Sequence, residues 1–168
     1  RERMSEESFY SNRVAVVTGG GRGFGKAFGT ALAARGAHAV LVDNLRYAAQ
    51  ALQTAGLRLL IEPINTFDIP GFLVSTPTQA MALIDEVKHP NLWLQFDVYH
   101  AQRMQGELAA SLNRLLPHIA HVQIADNPGR HEPGTGEINY PFLFQHLDAI
   151  GYTGWMGCEY LPLHTTSV

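Results

Sequence analysis

Six short apolar runs, each ended by a polar residue, a glycine or a proline and separated by helical stretches, constrain this chain most. They lie at 14–17, 37–42, 57–64, 92–98, 118–125 and 155–160, and helical patterning covers 24–35, 45–54, 78–87, 108–115 and 141–150. Gly36 and Gly56 stand just past the first two helical stretches, where a left-handed residue closes a helix. Parallel neighbours can be joined only by a crossover, so strands alternating with helices of this length predict parallel βα units and an α/β fold. Six strands suffice for an open parallel sheet and fall short of a closed eight-stranded barrel.

Composition narrows the function classes. With 46% apolar and 16% charged residues the chain can bury a core. The formal charge is −3 and the only lysines are Lys26 and Lys88, so no phosphate-tracking surface is expected and nucleic acid is not an expected partner. No apolar run approaches the roughly 20 residues that span a bilayer, and the first residues lack the apolar stretch of a signal peptide. Cys158 is the single cysteine. It excludes an internal disulfide and fits a reducing compartment, so a cytoplasmic protein is expected. Met4, behind Arg1-Glu2-Arg3, suggests that the first residues are not the natural start, and 1–12 reads as a tail.

Thr18-Gly19-Gly20-Gly21-Arg22-Gly23-Phe24-Gly25 falls where the first strand turns into a helix. Glycines there let a backbone approach a pyrophosphate, and Asp43, at the end of the second run, could accept from a ribose hydroxyl. The stretch 13–43 resembles the opening βαβ unit of the short-chain dehydrogenases, whose fingerprint is TGxxxGxG. That resemblance implies an NAD-type cofactor on Gly19, Gly23, Gly25 and Asp43. The Tyr-x-x-x-Lys pair of that family's chemistry is absent, as is its Asn-Asn-Ala-Gly strand end. The glycines could equally do no more than close a tight turn.

A different signal begins at Asn44. Glu62, Asp97, Gln123 and Glu159 are polar side chains inside apolar runs, one for each successive βα unit. All C-terminal strand ends of a parallel sheet lie on one edge, so the four can converge. Three carboxylates and an amide oxygen are hard ligands suited to Mg²⁺ or Mn²⁺. Close carboxylates repel without a cation, so a metal would explain the cluster. Taken singly, each acid reads as readily as a helix N-cap or a surface ion pair.

Several longer stretches carry a family resemblance. They are Asn-Leu-Arg-Tyr-Ala-Ala from Asn44, Glu62-Pro-Ile-Asn65, Phe96-Asp97-Val-Tyr-His100-Ala-Gln102 and His121-Val-Gln-Ile-Ala125. Arg130-His-Glu-Pro133, Gly136-Glu-Ile-Asn-Tyr-Pro141 and Gly157-Cys-Glu-Tyr160 continue the pattern. Residues 44–162 are similar to the C-terminal half of the hydroxypyruvate isomerase family of sugar-isomerase-like TIM barrels. The resemblance implies a half barrel over 44–168, with Glu62, Asp97, Gln123 and Glu159 as metal ligands. It also implies Glu62 and Glu159 as the acid–base pair, and His100 and Arg130 against a small hydroxy-carbonyl acid. A solvated loop arginine is the plainer reading of Arg130. His121 and His131 read as structural or loop histidines, Cys158 as a packed thiol, and Trp93 and Trp155 as core or sheet-face residues. Glu137 is expected to cap or brace the loop that carries Arg130.

Two resemblances in series imply a fusion, with a Rossmann-like segment where the barrel's first four units would stand. Three readings follow: a metal-dependent isomerase, a nucleotide-binding oxidoreductase fragment, and a chimeric scaffold without catalysis. Open sheet edges expose unpaired backbone, so a homodimer is expected.

Overall fold

The alternation of apolar runs and helices is realised as four parallel strands, each preceded by a helix. The structure, a computed structural model, describes residues 37–163, with side chains from residue 41. Helix α1 (Ala37–Thr54) precedes strand β1 (Leu59–Ile61), helix α2 (Pro77–Val87) and strand β2 (Leu92–Asp97). Helices α3 (Val98–Met104) and α4 (Leu108–Leu115) lead to strand β3 (Ile119–Ile124), and helix α5 (Tyr140–Ala149) leads to strand β4 (Met156–Cys158). The strands form one parallel sheet in the order β1-β2-β3-β4. The chain is therefore α/β, with strands added in sequence order.

Alternation sorts the side chains of this sheet into two faces. Leu92, Leu94 and Phe96 of β2 and Val122 and Ile124 of β3 are buried with Leu83, Ile84 and Val87 of α2 and Leu112 and Leu115 of α4. On the other face, Trp93 and Gln95 of β2 and His121 and Gln123 of β3 are only partly buried. The helices cover one face and leave the other open, which is where the polar residues stand.

Helix α2 owes its start to a capping box. Thr76 Oγ1 accepts from Gln79 N at 3.2 Å, and Gln79 Oε1 accepts from Thr76 N at 3.2 Å. Pro77 follows in the first turn, where its missing N–H costs nothing. Lys88 closes the helix in the left-handed region at φ 52°. Helix α3 was not foreseen. Asp97, the last residue of β2, caps it by accepting from His100 N at 2.8 Å.

The start of the described chain corrects one expectation. Residues 37–42 are the first turns of α1, not a strand. Buried Val42 and Ala49, with Leu41 and Leu45 packed beside them, repeat at three to four residues, and that period outweighs the β-branched character of Ala-Val-Leu-Val. A short apolar run beside a glycine is ambiguous between strand and helix, and here the longer pattern wins. The boundary expected at 43/44 consequently falls inside one continuous helix. The run at 14–17 lies outside the described residues.

Two further expectations change at β4. Cys158 is exposed rather than packed, and Trp155 is 85% exposed. Among the described residues β4 pairs only with β3, and the alternation that sends Cys158 away from Glu159 sends it into solvent. No helix among the described residues is long and apolar enough to cross a membrane.

Candidate metal centre

The site is built from the strand ends on the open face. Glu62 follows β1, Asp97 ends β2, Gln123 lies near the end of β3, and Glu159 follows β4. Asp97 is in register with Gln123, and Gln123 with Gly157, two residues before Glu159. Paired residues of neighbouring strands share a face, so the hydrogen-bond ladder alone sets these side chains side by side. Gly157 keeps the row open, because a Cβ there would lie 2.9 Å from His121 Nε2 and 3.5 Å from Gln123 Cγ.

Glu62, Asp97, His100 and Glu159 each offer one ligand atom, all within 4.8 Å of one another. His100 enters through α3, whose first turn folds its ring back over the strand ends, with Nε2 3.9 Å from Glu62 Oε1. Gln123 stands on the same face, its amide oxygen accepting from Gln95 Nε2. Arg130, at φ 59° in the loop after β3, donates through Nη2 to Glu159 Oε2 at 2.8 Å and lies over the Tyr99 ring at 5.5 Å.

The loop carrying Arg130 is tied down at its root by Asp126, which is fully buried. Its carboxylate accepts from Asn127 N at 2.9 Å, Gly134 N at 2.7 Å and Ile138 N at 3.1 Å. Glu137 braces the same loop by accepting from Asn127 Nδ2 and Gln102 Nε2. His131 Nδ1 donates to Leu161 O at 2.8 Å, and so the ring belongs to the loop.

Electrostatics identify the cluster as a place that wants positive charge. Burial, reinforced by the charges of Asp97 and Glu159, pushes Glu62 up to about 7 against the hydrogen bond from Gln95 and the charge of Arg130. Burial likewise pushes Asp97 up to about 6, although the N–H of His100 and the charge of Arg130 pull it down. Burial and then Arg130 hold His100 down near 4, so the ring is neutral. Glu62 Oε1 and Asp97 Oδ2 are buried and accept no hydrogen bond in the protein. An unpartnered buried carboxylate oxygen is costly unless a cation or a proton meets it. Two such oxygens among hard donors fit a Mg²⁺- or Mn²⁺-type ion.

The remaining expected residues fall elsewhere. Asp43 lies on α1, not at a strand end, and binds Arg46 Nη1 at 3.1 Å. Arg46 reaches on to Glu86 O at 2.9 Å and Val87 O at 3.1 Å, where a cation satisfies the carbonyls ending α2. The strand end on which the ribose role of Asp43 was expected is thus a helix, and its carboxylate joins a helix-end tether. Gly19, Gly23 and Gly25 lie outside the described residues. Two residues of the site went unread in the sequence. Gln95 shares a face with Asp97, two residues on, and donates to Gln123. Asn65, fully buried, holds the far side of His100. Strand alternation was the available signal for Gln95, and a position three residues past Glu62 the only one for Asn65.

Known proteins resemble this chain in sequence and fold. The chain is 56% identical over 129 residues to the hydroxypyruvate isomerase of Escherichia coli, covering 77% of this chain and 50% of that one. It is 47% identical over 129 residues to a 2-oxo-tetronate isomerase of Cupriavidus necator, with the same coverage of 77% and 50%. Among solved structures it matches an AP endonuclease, family 2, from Brucella melitensis with a TM-score of 0.74 at 43% identity, covering 76% of this chain and 49% of that one. The chain therefore spans about half the length of the curated relatives it matches. A family profile described as xylose isomerase-like TIM barrel matches residues 12–166. With that match, and a parallel sheet whose strand ends gather three carboxylates, the chain belongs to the xylose isomerase-like TIM barrel family.

Proposed function

We propose that this chain carries the proton-transfer centre of a divalent-metal isomerase for small hydroxy-carbonyl acids, converting hydroxypyruvate to tartronate semialdehyde. The observation that carries the reading is the convergence of Glu62, Asp97 and Glu159, with His100, to within 4.8 Å. Glu62, Asp97, Gln123 and Glu159 would hold the ion. A bound Mg²⁺ or Mn²⁺ supplies Lewis acidity that lowers the cost of negative charge on the substrate's oxygens.

The residues divide the rest of the work. Glu62 and Glu159 follow the two outer strands, so a substrate above Asp97 and Gln123 has a carboxylate on either side. One carboxylate removes a proton from the hydroxymethyl carbon, leaving an enediolate. The other returns a proton to the former carbonyl carbon, and the hydroxyl proton passes between the two oxygens. Arg130 binds the substrate carboxylate. The carboxylate arriving there would replace Glu159 as Arg130's partner and free Glu159 for proton transfer. His100 faces the same space and contacts the substrate.

A cytoplasmic setting suits the exposed thiol of Cys158. Pairing of two copies would cover the outer strands, and a single monomeric mass across a concentration series in sedimentation would end that part of the reading. For the centre itself, calorimetric titration of metal-stripped protein with Mn²⁺ is the test. Binding that Glu159→Gln weakens at least about tenfold is expected, in line with the loss of a charged ligand. Equal binding by both proteins, or none by either, refutes the assignment.

A further inference from the structure

His100 counts geometrically among the groups able to hold the ion, yet its hydrogen bonds say otherwise. Asn65 decides the matter. Its Oδ1 accepts from the backbone N–H of Asp68 at 2.8 Å, and a backbone N–H can only donate, so the orientation of the amide is fixed. Asn65 Nδ2 is therefore the atom that faces Asp68 Oδ2 at 2.9 Å and His100 Nδ1 at 2.7 Å. The backbone N–H of Asn65 points at the same ring nitrogen, at 3.4 Å. Two donors meet Nδ1, so Nδ1 must be an acceptor. A neutral imidazole with an accepting Nδ1 carries its proton on Nε2.

We propose that Asn65 is a positioning residue that locks His100 as the Nε2–H tautomer, making it a hydrogen-bond donor to the substrate and barring it from the metal. A protonated ring nitrogen has no lone pair for an ion. The centre is thereby left to the carboxylates and Gln123, and the ring presents its N–H to an oxygen that becomes negative during proton transfer. The lock is itself anchored. Asp68 accepts from Tyr99 Oη at 2.9 Å and from Arg103 Nη1 at 2.6 Å, and Arg103 Nη1 also donates to Tyr99 Oη at 2.8 Å. Asn65, Asp68, Tyr99 and Arg103 form one connected network behind the ring, with Asn65 and His100 buried.

This inference extends the proposed function but is tested without turnover. In ¹⁵N-histidine-labelled, metal-free protein, long-range ¹H–¹⁵N correlation spectra report which ring nitrogen carries the proton. The His100 spin system is assigned by its loss in His100→Gln. An unprotonated Nδ1 and a protonated Nε2 are expected, unchanged when Mg²⁺ is added. A protonated Nδ1, or an Nε2 that loses its proton on adding Mg²⁺, overturns the proposal. Asn65→Asp replaces the donor with an acceptor and is expected to put a proton on Nδ1; an unchanged tautomer in the folded variant removes Asn65 from the role. The wild-type spectrum decides the tautomer even if that variant fails to fold. Absence of Mn²⁺ binding would defeat the metal reading and leave the tautomer result standing.

Discussion

The two faces of the sheet are made by the same strands and obey opposite rules. On the helix-covered face, Leu92, Leu94 and Phe96 are buried in an apolar layer that gains stability from every methylene removed from water. On the open face the next residues along the same strand are Trp93, Gln95 and Asp97, and two of the site's buried carboxylate oxygens have no partner in the protein. One face stabilises the fold; the other gives up stability to hold like charges together, as sites built for chemistry do. A strand of alternating character can serve both because its side chains point two ways.

Substitutions should therefore separate the faces. Glu62→Gln is expected to lower isomerase activity by at least about a hundredfold, the usual scale for a lost acid–base group. The same change should raise the stability of metal-free protein in urea, because it removes a buried charge that repels Asp97 and Glu159. Loss of both activity and stability would mean that Glu62 is a structural residue. Leu94→Ala should do the reverse. It should cost about 3 kcal/mol in urea unfolding, as a fully buried leucine does, while the folded protein keeps its Mn²⁺ affinity. A Leu94→Ala protein of normal stability would break the distinction.

A pH series gives a smaller effect with a definite sign. Glu62, near 7, and Asp97, near 6, stand above their ordinary values of 4.5 and 3.8 in the folded chain. On these two groups the folded state holds more protons than the unfolded one between those limits, and together they outweigh the single opposite contribution of His100, held down near 4. Stability therefore falls as pH rises through the window. Metal-free protein should lose a few degrees of Tm between about pH 4 and about pH 7 and level off above, with Mn²⁺ restoring the loss at pH 8. A Tm that climbs over that range contradicts the burial of these charges. Thr76→Ala should act least, costing about 1 kcal/mol through the cap of α2 and leaving metal affinity alone.

Legibility in the sequence followed the same division. Strands β2 and β3 and helices α2, α4 and α5 announce themselves through apolar period and capping residues, because burial on the covered face dictates those positions. The first turns of α1 were hidden by a β-branched run, although its remainder was legible at 45–54, and α3 was hidden by Asp97, which ends a strand and caps a helix at once. Glu62, Asp97 and Glu159 stood out because a charge inside an apolar run needs a reason. Asn65 and Gln95 did not, since a neutral amide in the same place raises no such question. Their roles depend on which atom faces which neighbour, and only coordinates contain that. Cys158 and Trp155 were misjudged because alternation tells which side a residue takes, not whether anything covers that side.

The pairing of Asp97 with Gln123, and of Gln123 with Gly157, ties the geometry of the proposed centre to assembly of the sheet. A slip of one residue between β2 and β3 would turn Gln123 toward the helices and bring Val122 or Ile124 into the row of ligands. A misregistered chain would therefore lose the ion as well as its packing. Under the proposed function, metal affinity would act as a proofreader of strand alignment, reporting a folding error too small to change the helix content.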